Sequence, residues 1–166
     1  MHPALVSFIE RSKKSLTDHP GPSGRAQVCA ALQALLRDSE FLEAEVYPNQ
    51  PERNKVYEDP DLGFCVLIHT YVGPKSSGPH DHGHSWAIYG QARGETHMTD
   101  FELVSPASET QAGQVRAIKS YSLKPGDAHL YNEGDLHAPE RKDSTQLIRI
   151  EGVDMLTVKR MKYEAL

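Results

Sequence analysis

Residues 79–86 read PHDHGHSW. His80, His82 and His84 stand at alternate positions, so on an extended segment their side chains share one face while Asp81 points away. A His-x-His pair is often no more than a solvated loop. The setting here is different: the turn sequence GPKSSGP (73–79) precedes the pair and the apolar stretch WAIYG (86–90) follows it. That places two imidazoles where a strand begins, at the rim of a barrel, able to aim at one point inside it.

Working outward, the flanking sequence is a series of short apolar runs. FCVLIHTYV (64–72), SWAIYGQA (85–92), HMTDFELV (97–104), VRAIKSYSL (115–123), HLYN (129–132), QLIRIEGV (146–153) and MLTVKRMKY (155–163) are separated by turn signals such as ARGE, KPGD, NEGD and RKDS. Many short strands with regular punctuation predict an all-β sandwich or barrel. Residues 3–45 have a different texture. Leu5, Phe8 and Ile9 lie on one helical face, Pro20-Gly21-Pro22-Ser23 breaks it, and Val28, Leu32, Leu35 and Leu36 recur at helical spacing. The expectation is a single domain over 1–166, with N-terminal helices (1–45) layered on a β-barrel (46–166).

Composition bounds the function. The chain has 166 residues, 38% of them hydrophobic, enough for one core. With 18 Lys plus Arg against 23 Asp plus Glu the net charge is −5. That balance argues against nucleic acid and anionic membranes, which need a basic face. No run is long and apolar enough for a membrane span, and the start MHPALVSFIERSKKS reads as an amphipathic helix rather than a secretory signal. Cys29 and Cys65 sit in apolar patterns at no metal-like spacing and are expected to be buried thiols, with a reduced, cytoplasmic location as the default.

A metal needs more than two ligands, and His97, His129 and His137 lie downstream. In LKPGDAHLYNEGDLHAP (123–139), the PGD turn, the short strand HLYN and the EGD turn deliver His137. His84 rivals the first pair, His129 rivals His137, and His97 is expected at the surface. Trp86, of inward parity, is expected in the core or on the wall of the site.

Gly73, then His80-Asp81-His82, then Gly94, and later PGD with a further His, resemble the two-part signature of the cupins, which are jelly-roll barrels with a metal inside. The usual first motif carries a Glu separated by six residues from its last Gly, and Ala87 stands in that slot. Six residues rather than five separate Gly73 from His80. Three histidines without the Glu resemble the thiol dioxygenase branch, which includes cysteine dioxygenase and 3-mercaptopropionate dioxygenase. The resemblance implies Fe(II) held by His80, His82 and His137, and O₂ and a small thiol carboxylic acid as substrates. It also implies a carboxylate-binding Arg, which ERNKVYEDPDLGFCVLI (52–68) would supply as Arg53. Cupins often pair, which makes a homodimer an expectation. The Ser-His-Tyr relay of the branch has no match: Leu147, Arg149 and Glu151 stand at its alternate positions in QLIRIEG. Arg149 and Glu151 share a face and are open to three readings: a buried ion pair, a polar pocket wall or an exposed edge pair. A non-thiol cupin enzyme, such as a carbon–carbon-cleaving dioxygenase or an isomerase, and a small-molecule-binding cupin are the alternatives.

Overall fold

Pro3 and Pro22 each begin a helix, where the missing N–H costs nothing. The computed structural model describes residues 1–166 and opens with α1 (Pro3–Asp18) and α2 (Pro22–Leu35). A single turn, α3 (Ser39–Phe41), is capped by the Asp38 carboxylate, which accepts from Phe41 N–H, and runs on into a π-helical turn (Leu42–Val46). Ten strands complete the chain: β1 (Arg53–Glu58), β2 (Cys65–Tyr71), β3 (Lys75–Ser76), β4 (Ala87–Arg93), β5 (Thr96–Ser105), β6 (Gly113–Leu123), β7 (Ala128–Tyr131), β8 (Leu136–Arg141), β9 (Thr145–Glu151) and β10 (Tyr163–Ala165).

The strands form two five-stranded sheets, ordered β1-β2-β9-β4-β7 and β10-β6-β5-β8-β3. All pairings are antiparallel except β10 with β6. The first sheet is buried on both faces, and alternation along its strands sorts the side chains. Val66, Ile68, Ile88, Ile148 and Ile150 face the helices and join Leu5, Phe8, Val28 and Leu32 in one core cluster. Cys65, Leu67, His69, Tyr89, Leu147, Arg149 and Glu151 have the opposite parity and face the second sheet. There Tyr89, Tyr131, Met98 and Leu123 form a second, smaller cluster. Gly90 is the close-approach point between layers. A Cβ on it would stand 2.7 Å from Leu32 Cδ2 and would push the Leu32 and Leu36 side chains away from β4.

Several details differ from the sequence reading. Trp86 packs with the helix-facing cluster, beneath the Arg25 guanidinium at 5.4 Å, and not in the interior. Cys65 is buried as expected, but Cys29 is only half-buried on α2; burial pushes both thiols up to about 11. MLTVKRMKY is not a strand: it gives a 3₁₀ turn at Met155–Thr157, and β10 starts at its last residue. β8 is masked in the sequence by Pro139. The strand tolerates it because the neighbouring segment uses only the Pro139 carbonyl, which accepts from Ser77 N–H.

This layering can be tested at two positions. Leu32 is fully buried between α2 and the first sheet, so Leu32→Ala should cost about 2–5 kcal/mol in chemical denaturation. The metal content of the folded protein should not change, because the cluster is separate from the interior one. Asp59 caps the β1–β2 turn, accepting from Asp61 N–H, Leu62 N–H and the Tyr57 hydroxyl. Burial opposes its charge, but those hydrogen bonds and Lys13 prevail and hold its carboxyl below the usual range. A depressed folded pKa means that its stabilisation is complete above the unfolded value of about 4 and is lost as pH falls through the folded value. Asp59→Asn should therefore flatten the acid limb of the stability–pH curve and leave its neutral-to-alkaline shape unchanged.

Candidate metal centre

His80 and His137 exchange backbone hydrogen bonds across an isolated bridge, His80 N–H to His137 carbonyl at 3.0 Å and His137 N–H to His80 carbonyl at 2.9 Å. This seats the segment before β4 against β8. Beyond it the chain does not continue as a strand. Asp81 Oδ1 accepts from Gly83 N–H (3.0 Å), Gly83 adopts φ +61°, and Ser85 N–H closes a turn onto the His82 carbonyl (3.1 Å). His82 therefore stays inside, and His84 falls outside the turn, exposed. Asp81 is itself buried and takes a second bond from the Tyr163 hydroxyl of β10 (3.2 Å), which holds the turn in place.

The ring nitrogens of His80, His82 and His137 that could serve as ligands lie within 4.8 Å of one another. Their tautomers are set by their partners. His80 Nδ1 meets the Gly78 carbonyl at 3.0 Å and His137 Nδ1 meets the Asp135 carbonyl at 2.8 Å. A carbonyl only accepts, so both Nδ1 atoms carry the proton and both Nε2 atoms present a lone pair. All three Nε2 atoms converge on one group, the Tyr89 hydroxyl, at 3.5 Å (His80), 3.2 Å (His82) and 3.4 Å (His137). One hydroxyl has one proton to give, so at least two inward nitrogens receive no hydrogen bond from it. That donor set suits a cation. Two nitrogens sharing an ion at ~2.1 Å each lie no more than ~4.2 Å apart, so the rings fit a metal after closing by a few tenths of an ångström.

The surroundings keep the rings neutral. Burial lowers the pKa of His80 to about 4. Burial and the neighbouring His80 lower that of His137 to about 3, against the bond to Asp135. Burial, then His137 and Arg149, lowers that of His82 further. Tyr131 stacks on His137 (3.8 Å between ring centres), and its hydroxyl meets that of Tyr121 at 2.7 Å, which in turn donates to Asp100. His129 is held in this aromatic layer between Tyr121 and Tyr131, apart from the three. His97 has outward parity on β5.

The arginines are arranged differently from the expectation. Arg53 lies on the edge strand β1, and its Nη2 donates to Asp154 (2.7 Å) and Glu151 (3.1 Å). Two carboxylates occupy it, and it does not line the cavity that reaches His80. Arg149 does line it, with its guanidinium 4.3 Å over the Tyr89 ring. Its contact with fully buried Glu151 is long, at 3.5 Å. Of the three readings of this pair, the edge reading falls, since β9 runs between β2 and β4. Sequence reasoning does not single out Tyr89 or Arg141. Their signal is parity alone: Tyr89 is two residues beyond Ala87, and Arg141 is four beyond His137 on β8. A histidine and a tyrosine at alternate positions do occur, but on β2: His69 and Tyr71 stack and share a hydrogen bond of 3.2 Å.

The cavity holds about 700 Å³ and opens between β3, β8 and the C-terminal segment. No helix of the chain is long and apolar enough to cross a membrane. No family model and no curated protein matches the sequence. Among solved structures, the chain is similar to the cupin domain of Cnp3 from Schizosaccharomyces pombe (9% identity, TM-score 0.46, 63% of this chain and 65% of that one). It is also similar to a cupin-2 domain protein from Shewanella frigidimarina (14%, 0.43, 61% and 81%) and to a cupin superfamily protein from Desulfitobacterium hafniense (16%, 0.45, 64% and 80%). The chain spans less than two thirds of the length of the Cnp3 domain.

Proposed function

We propose that this chain is a cupin-type metalloenzyme. His80, His82 and His137 would hold iron(II), and the enzyme would oxidise a small thiol carboxylic acid with O₂ to the sulfinate, R–SH + O₂ → R–SO₂H. The observation that carries the reading is the ligand set: three neutral imidazoles, His82 and His137 buried and His80 half-buried, with no carboxylate among them. Such a set leaves the 2+ charge of a metal uncompensated by the protein, and a thiolate is a substrate that compensates it. Iron(II) there would supply the redox partner for O₂ and coordination positions unfilled by protein.

The remaining residues bind and orient. Arg149 takes the part the resemblance gives to Arg53. It faces the cavity beside Tyr89, so a carboxylate held by its guanidinium would lie next to the metal ligands. Arg53 acts through Glu151: together with the Met155 N–H it holds Oε2, so Arg149 meets only Oε1, at 3.5 Å, and the Arg149 Nε is left for a ligand. Tyr89 is fully buried, and burial raises its pKa, so its hydroxyl stays protonated and can donate toward a group at the centre. One observation favours a non-thiol reaction at the same metal, namely that β9 carries Leu147, Arg149 and Glu151 in place of the relay.

Metal binding is tested first. His137→Ala should abolish stoichiometric iron(II) binding after anaerobic reconstitution, and full retention of iron would remove the centre. Arg149→Met should keep iron but raise KM about tenfold or more, the value of one lost charge-assisted hydrogen bond. Arg53→Ala should have a smaller effect on KM. Oxygen uptake by the iron-loaded protein against cysteine, 3-mercaptopropionate, cysteamine and mercaptosuccinate tests the chemistry. Uptake matched by a sulfinate product supports it, and no uptake from fully loaded protein moves the search to non-thiol substrates.

A further inference from the structure

The wall of the cavity has one feature that a single-carboxylate substrate leaves unexplained. Arg141 is 3% exposed, yet its Nε and Nη2 donate to no group of the protein and it has no carboxylate partner. Its guanidinium carbon lies 4.5 Å over the Tyr71 ring. Arg149, on the opposite sheet, also has an unpartnered Nε. Arg160 and Lys162 stand around the same cavity, as does Lys75, which is paired with Glu52 at 2.8 Å, and Glu164 is the one carboxylate among the lining residues. A buried charge without a partner costs several kcal/mol unless something else compensates it. A chain with a net charge of −5 nevertheless collects five cations on one concave surface.

We infer that the cavity is a two-point anion site and that its ligand carries two acidic groups, one held by Arg149 beside the metal ligands and the other by Arg141 farther out. The spacing supports two points rather than one. Arg141 lies four residues beyond His137 on β8, about 13 Å along the strand. Arg149 lies level with Tyr89, whose hydroxyl touches all three imidazoles. Lys162 and Arg160 are exposed and add attraction at the mouth. Arg141, buried and planar, supplies the fixed fork that a carboxylate or phosphate oxygen pair fits. The inference rests on the reading that this cavity is the substrate site, but it needs neither iron nor turnover to be tested.

The test is calorimetric titration of zinc-loaded protein, which binds ligand without oxidising it, with butyrate, succinate and 3-phosphoglycerate. Succinate or 3-phosphoglycerate should bind about tenfold or more tightly than butyrate, and the preference between those two names the second group. Arg141→Met should abolish that advantage while leaving butyrate affinity and zinc stoichiometry as they were. The same variant, without ligand, should melt no lower than the wild type, because it removes an uncompensated buried charge. If Arg141 served only to pack on Tyr71, the variant would melt lower and the preference for diacids would survive. Equal affinity for butyrate and both diacids would overturn the inference. Metal binding and oxygen uptake would be unaffected by that outcome, so the failure of one reading is distinguishable from the failure of the other.

Discussion

Two backbone hydrogen bonds between His80 and His137 hold the rest of the site in place. They join residues 57 positions apart in the sequence and fix two of the three imidazoles at one spacing through the main chain alone. Each of these rings is then oriented by a carbonyl two residues before it in the chain, Gly78 for His80 and Asp135 for His137. The same local device is used twice. A ring whose Nδ1–H is tied to the backbone can present only Nε2 inward, so tautomer and direction are settled together. His82 lacks such a bond and depends instead on the turn behind it, where Asp81 and Gly83 do the positioning.

The interior between the sheets combines a small apolar cluster with buried polar and charged side chains. The hydrophobic work of folding is done on the other face of the first sheet, where the helices bury Val66, Ile68, Ile88, Ile148 and Ile150. The N-terminal helices therefore do more than cover the sheet. With the main core outside the barrel, the inside is free to hold three histidines, several tyrosines and two arginines. This division explains how β9 carries Arg149 and Glu151 beside two isoleucines without losing its place in the sheet.

Much of this architecture is legible in the sequence, and the parts that are not have physical causes. The helices show as periodicity, and the strand-rich texture as alternation between turn signals. His80, His82 and His137 stand out because histidine is rare and their spacing is specific, although His82 faces inward because of a turn and not because of strand parity. Parity misplaces Trp86 for the same reason: the turn at residues 82–85 resets the phase of the chain. β8 is hidden by Pro139, and β1 by its polar, edge-strand composition. The arginines are the least legible. Arg53 matches a sequence position, but which arginine meets a cavity depends on which carboxylates reach it first. Glu151 and Asp154 are supplied from about a hundred residues away.

The placement of acids decides which cations remain available to a ligand. Five charged side chains lie within reach of one another across β1, β9 and the turn after β9. Glu151 and Asp154 balance Arg53 and Lys55 almost completely, through bonds of 2.7 and 3.1 Å. Arg149 receives only the remainder, and Arg141, on the other sheet, receives nothing. The chain has 23 acidic residues, more than enough to pair every cation. Their distribution is therefore the informative quantity. Where acids are placed, the arginine is structural. Where they are withheld from a buried guanidinium that faces a cavity, the missing charge is left for a ligand to bring, and its cost to the unliganded fold is recovered only when that ligand binds.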